Sequence, residues 1–463
     1  MKKWISFFCR VLFVNYEISW DKINDWGIYS FKGLRYNVFL IKTTKIGNKM
    51  TLRYKVTCTI CEQNYLMRIS LGHSESQNHI VECNTCKSSM HIELQLDNSS
   101  SSEINYLENC QEANFKDEGL FSDNPNYITK NLHPELLIPK EFSEDNFYNA
   151  NIFEGARLVE ERMEKVGYIS DKNRKMTSDY VNNLNMIEKN WKIIKVAWKM
   201  KNNKQRNKLI IKHLKKYKST TESGDADFNS ILFDFNNTIL FPDFIDYTPE
   251  FSKILIDSFD ESELKNKEYL KCIKYYKTNL LDENMKKFYD IYCDYFELYN
   301  DFKSSLMYVV TSQEMNSESI VSSEDFEKTK MFYGKLFEAY TSNISFITML
   351  HNIHKGREFN KLENIDFEKY LSTDKAKRTI NFKNTEEFKF FDEYIDSQLR
   401  NASHHGNIEL KDNIVIYRSG KPLKEYKMPY TKYLEKCTQL FIRFIILHQL
   451  QILKYHSYLQ YNR

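Results

Sequence analysis

Two sets of side chains in this sequence have types and spacings suited to chemistry. The first is Arg400-Asn401-Ala402-Ser403-His404-His405-Gly406. A guanidinium stays charged and offers phosphate oxygens a planar fork of donors. An imidazole titrates near neutral pH and can take or give a proton in a transition state. An amide can orient either group, so the set suits work on a phosphodiester. The second set is Cys58-Thr59-Ile60-Cys61 and Cys83-Asn84-Thr85-Cys86, two Cys-x2-Cys pairs separated by 21 residues. Two thiolates from each tight turn complete the tetrahedron of soft ligands that Zn²⁺ prefers, and four thiolates leave no open position for catalysis.

The elements that must position the first set are legible as periodicities. Phe388, Phe391, Ile395, Leu399 and Ala402 recur at three- and four-residue spacing, which predicts one amphipathic helix. Asn384 and Glu387 approximate a capping box at its start, and Gly406 is its stop. A polar hairpin is expected over Ile408 to Tyr426, turning at Ser419-Gly420-Lys421-Pro422, then an apolar helix from about Tyr430 to Leu453. Leu434, Cys437, Phe441, Phe444 and His448 form its inward stripe, which makes His448 a packed histidine. With helical text over Phe326 to Ile353 and near Leu362 to Leu371, this region reads as a bundle of about four helices.

On these residues the last third of the chain resembles the HEPN superfamily. The Arg-x4-6-His motif of that superfamily, in its Arg-Asn-x3-His form, matches Arg400, Asn401 and His405. The resemblance implies an endoribonuclease without a catalytic metal. His405 would help deprotonate a ribose 2′-hydroxyl, Arg400 would stabilise the charge of the transition state and Asn401 would position the histidine or the phosphate. It also implies RNA as partner, a homodimer in which both motifs contribute, and a bacterial antiphage, abortive-infection or toxin system with a regulatory or phage-derived partner. Helix geometry pulls toward the neighbouring histidine: Arg400 and His404 lie roughly 40° apart around a helix, Arg400 and His405 roughly 140°. His405 is first choice on the motif and His404 second. The competing reading is a non-catalytic HEPN and zinc-ribbon protein that binds RNA or a partner protein. A transcription-associated factor led by the cysteine module is a third.

Around the cysteines, Leu52 to Thr57, Tyr65 to Leu71, His79 to Glu82 and Met90 to Leu96 read as strands. The pattern resembles a zinc ribbon with one structural Zn²⁺; His73, His79 and His91 read as surface histidines, the alternative being that one replaces a cysteine. Farther on, Lys189 to Lys218 holds twelve Lys or Arg and no acidic residue. With Trp191, Ile194 and Trp198 interleaved, this basic amphipathic stretch can track a phosphate backbone, tryptophans stacking on bases. Lys192, Lys195, Lys199 and Arg206 are its candidate RNA contacts. The alternative is a solvated lysine face on a helix that buries its tryptophans.

The 463 residues exceed one ordinary domain. Only 12 Gly and 7 Pro predict long helices and few tight turns. A net charge of +3 requires any attraction to nucleic acid to come from local clustering. Nine cysteines without an export signal suit a reducing compartment. Arg10 interrupts the apolar run from Trp4 to Val14, and no membrane association is expected, so the protein reads as cytoplasmic. The expected fold is mainly α, a C-terminal HEPN-like bundle with a small N-terminal β-rich domain. Its divisions are 1–97 with the ribbon, 98–218 as connector and basic helices, 219–320 as a helical middle, and 321–463 as the HEPN-like domain.

Overall fold

The computed structural model describes residues 51–72, 76–96, 102–116, 126–139, 154–165, 186–214, 217, 228–241, 267–322, 325–382 and 385–461. The runs Trp4–Val14, Tyr36–Lys42 and Ser219–Asp227, as well as His73 and Asn384, lie outside them. Two compact units emerge, Met1–Asn185 with Glu318–Glu324 and Met186–Ser317 with Asp325–Arg463. Among the described residues no helix is long and apolar enough to cross a membrane.

In the first unit, strand β1 (Thr51–Cys58) pairs antiparallel with β2 (Asn64–Ser70), and β3 (Ser76–Glu82) pairs antiparallel with β4 (Ser89–Leu96). Each Cys-x2-Cys pair is therefore the turn of a hairpin. β5 (Ser102–Glu108) adds to β4, and β6 (Cys110–Glu112) adds to the free edge of β1. β7 (Ile128–Leu132) joins β2 in parallel, while β8 (Ile138–Pro139) pairs with β9 (Ser319–Ile320). Alternation explains the core: Met90, Ile92 and Leu94 on β4 point inward against Val56, Tyr65, Met67 and Ile69.

The fold is thus α/β, with twelve strands in four sheets among the described residues, and the expectation of a mainly α chain with a small β module is corrected. The N-terminal sheet region is large, running from Thr51 to Pro139. Residues beyond Leu96 read as linker and connector because their strands carry no clear alternation. β5 begins inside the serine-rich run, β6 has three residues and β8 two, too short for a period of two to register. Their stability comes from pairing with β1, β2, β4 and β9, which a local reading does not see.

The second unit is built on the C-terminal helix, Tyr430–Tyr461. Its Phe441 stacks on Tyr295 at 3.7 Å, and its Phe444 and His448 meet Phe288 at 4.4 and 4.1 Å. His448 is buried, and burial pushes its pKa down to about 3, so it is a neutral packed ring beside Tyr292 and Asn236. A sheet of β10 (Ile408–Lys411), β11 (Ile414–Ser419) and β12 (Lys424–Pro429) precedes this helix. The expected hairpin is therefore three strands, with a tight first turn at Asp412 and Asn413, both at positive φ.

The helix carrying Arg400 is shorter than its apolar spacing predicts. It spans Ser397–His405, with Asp396 as N-cap accepting from the amides of Gln398 and Leu399, and Gly406 closing it in the left-handed region at φ 67°. Upstream, Glu386–Lys389 is one turn of helix and Tyr394 has φ 62°. Long-range contacts hold this break. The Tyr333 hydroxyl donates to the Tyr394 carbonyl and accepts from the Asp396 amide, both at 2.8 Å. Buried Arg443 donates to the Phe390 carbonyl and to Glu393, and its guanidinium lies 4.3 and 4.4 Å from the Phe390 and Tyr394 rings. Backbone groups freed by breaking the helix are thereby satisfied by side chains.

Candidate functional sites

The two cysteine turns have the same backbone. Glu62 N–H donates to the Cys58 carbonyl at 2.9 Å, as Lys87 N–H does to Cys83 at 3.0 Å. Cys58 N–H donates to Gln63, as Cys83 N–H does to Ser88, and Glu62 and Lys87 both sit near φ 63° (62° and 64°). This repeated turn aims two sulfurs from each pair at one point. Cys58 Sγ and Cys86 Sγ are 3.7 Å apart, and Cys61 Sγ and Cys83 Sγ 3.5 Å. Metal–sulfur bonds of about 2.3 Å place tetrahedral sulfurs at about 3.8 Å from one another, so the four thiols fit an ion without rearrangement.

The surroundings favour thiolates. The buried Tyr65 hydroxyl donates to Cys83 Sγ at 3.1 Å while accepting from the Asn84 amide, and Ser88 Oγ lies 3.0 Å from Cys86 Sγ and 3.5 Å from Cys58 Sγ. Burial raises the pKa of Cys83, but hydrogen bonds from Tyr65 and from the Cys86 and Thr85 amides outweigh it and hold the thiol below its usual range. Cys58 is lowered likewise. The Gln63 amide lowers Cys61, yet burial and the three neighbouring sulfurs push it up. Four thiolates cannot share this space without a cation, and a bound cation would ionise them all. Cys110, opposite Cys58 in the β1–β6 register, is not one of the cluster.

The second site lies at the C-terminal end of the Ser397–His405 helix. Glu338, on the Phe332–Asn343 helix, is its hub. Its Oε1 accepts from Arg400 Nε at 2.6 Å and from Arg400 Nη2, and lies 4.0 Å from His404 Nε2. Its second oxygen accepts from Lys375, and Arg400 Nη1 donates to Asn401 Oδ1 at 2.7 Å. Burial raises the Glu338 carboxyl, but Lys375 and Arg400 outweigh it and hold it below the usual carboxylate range. The two helices pack closely because residue 334 is glycine: a Cβ there would meet Ser403 Oγ at 2.9 Å and His404 Cδ2 at 3.3 Å. Ser403 Oγ in turn donates to the Lys330 carbonyl at 2.7 Å.

His404 and Glu338 line a cleft of about 670 Å³ whose wall also carries Lys195, Lys199, Lys287, Lys335 and Lys375 against Asp290 and Asp294. Arg400, Asn401 and His404 are thus brought together through Glu338. His405 is exposed, and no hydrogen bond or ion pair joins it to them. The four basic candidates separate. Lys195 and Lys199, on the helix at 186–199, face the cleft. Lys192 pairs with Glu188 at 3.1 Å, and Arg206 lies over the Phe228 ring at 5.1 Å. The tryptophans face inward: Trp191 stacks on Phe296 at 5.0 Å and Trp198 meets Tyr289 edge-on at 5.6 Å. Sequence reasoning missed Glu338 and Lys375, since a lone acid on an apolar helix and a lysine in a short turn carry no local signal.

No family model, no curated protein and no solved structure matches this chain.

Proposed function

We propose that this chain is a HEPN-type endoribonuclease that cleaves RNA at Arg400, Asn401 and His404, with a structural Zn²⁺ on Cys58, Cys61, Cys83 and Cys86. One observation carries the reading: Glu338 holds the Arg400 guanidinium, itself bonded to the Asn401 amide, beside the His404 imidazole, and Glu338 and His404 line a lysine-rich cleft. The nucleophile is the 2′-hydroxyl of the substrate. His404 takes its proton, the oxygen attacks the adjacent phosphorus, and the P–O5′ bond breaks; the 5′-oxygen takes a proton from water and leaves as a hydroxyl, with a 2′,3′-cyclic phosphate behind it. Three of the five guanidinium N–H donors of Arg400 are engaged by Glu338 and Asn401, which leaves two for the phosphate oxygens as charge builds. Glu338 fixes the guanidinium so that it need not reorganise during the reaction. DNA lacks the nucleophile and is not cut.

The motif spacing, which falls on His405, favours a second reading, in which a homodimer recruits this exposed histidine from the facing copy. Labelled RNA incubated in EDTA with wild type, Arg400→Ala, His404→Ala and His405→Ala tests both. Cyclic-phosphate ends lost in Arg400→Ala and His404→Ala support the first reading. Loss in His405→Ala, restored by mixing it with Arg400→Ala, supports the second. Undiminished cleavage in Arg400→Ala would sink both.

A further inference from the structure

We infer that Lys195 and Lys199 form a phosphate subsite for the single-stranded RNA backbone flanking the bond cut at His404. The inference rests on the ribonuclease reading and adds residues from the basic helix, far from the motif in sequence. Both lysines line the cleft that His404 lines. They are four residues apart on one helix, which places their Cβ atoms about 5–6 Å from each other on a single face, a span that successive backbone phosphates can bridge. Neither is held in an ion pair among the described residues. Lys335 is taken by Asp294 at 2.8 Å and Lys375 by Glu338, whereas no carboxylate lies within ion-pair distance of Lys195 or Lys199 among the described residues. Lys199 is fixed over the Tyr289 ring at 5.2 Å, a contact that leaves its ammonium charged. A point charge on a flexible stem reads phosphate without reading sequence, so this subsite holds the strand and sets no base preference.

The test is binding of the full-length protein to labelled 2′-O-methyl oligouridylate, which keeps the phosphates and blocks the nucleophile, across a salt series. Lys195→Ala/Lys199→Ala should bind at least about tenfold more weakly. Its slope of log affinity against log salt should be shallower by about 1.4, two single-strand phosphate contacts. Lys192→Ala/Arg206→Ala, basic positions off the cleft, should match wild type. Equal affinity in Lys195→Ala/Lys199→Ala, or equal loss in Lys192→Ala/Arg206→Ala, overturns the subsite. If the first double variant also cuts RNA at the wild-type rate, the ribonuclease reading survives alone. Displacement of the oligomer by equimolar uridine monophosphate would put a mononucleotide in the cleft and overturn the inference. A wild type that neither binds nor cleaves removes both.

Discussion

The cysteine cluster and the Arg400 cleft are assembled in opposite ways. Four sulfurs come from two hairpin turns within Cys58–Cys86, and each turn builds its own half through the same three backbone features. The cleft draws Lys195, Glu338, Lys375 and His404 from separate elements, joined only when the second unit packs. A local device depends on its ligands and their ion. A long-range device depends on the surfaces that bring its parts together, so the two should fail differently.

The largest expected effect is at the cysteines. Cys83→Ser replaces a thiolate ligand that also accepts from the Tyr65 hydroxyl, and structural metal binding carries folding free energy on the order of 10 kcal/mol. Metal analysis should show loss of the bound ion, and limited proteolysis should open the β-rich unit while the second unit stays resistant. If the second unit were digested equally, the separation drawn here would be wrong. Next come the cleft residues. Arg400→Ala should lower the cleavage rate by about 10²–10³-fold. His404→Ala should do so by about 10²–10⁴-fold. His405→Ala should stay within about twofold of wild type under the first reading. Single-turnover rates on labelled RNA decide among them.

Gly334→Ala sharpens the comparison, because it removes no chemical group of the site and acts only by pressing on the helix that carries it. Its Cβ would press on Ser403 Oγ and drive the motif helix from its seat, at a cost of about 1–3 kcal/mol. Chemical denaturation measures this, and adding Ser403→Ala should recover part of it. The smallest effect is Glu338→Gln. The folded carboxyl lies below its ordinary value of 4.5, so its contribution is complete above that pH and is lost as pH falls through the folded value. The stability gap between wild type and Glu338→Gln should be about 1 kcal/mol at pH 7 and shrink as pH falls below 4.5. A gap independent of pH would mean that packing, not charge, holds Glu338.

This contrast also sets what could be read from the sequence. The spacing of Cys58, Cys61, Cys83 and Cys86 and the alternation of their flanking strands are local, and the strands lie where that alternation puts them. β5 to β8 were illegible because their pairing partners, not their own patterns, make them strands. Phe388, Phe391, Leu399 and Ala402 are all buried, yet the single helix their spacing suggests is broken by Tyr333 and Arg443, distant residues that compensate the opened backbone. Helix angles placed His404 beside Arg400, but nothing local marks Glu338 as the group between them.

The central claim is that Arg400 and His404 direct a 2′-hydroxyl onto its neighbouring phosphate. A DNA oligomer carrying one ribonucleotide tests it most directly, with the products resolved by mass. The account predicts a single cut immediately 3′ of the ribonucleotide, ending in a 2′,3′-cyclic phosphate and absent in His404→Ala. A cut between deoxynucleotides, or a product ending in a 3′-hydroxyl, would contradict it.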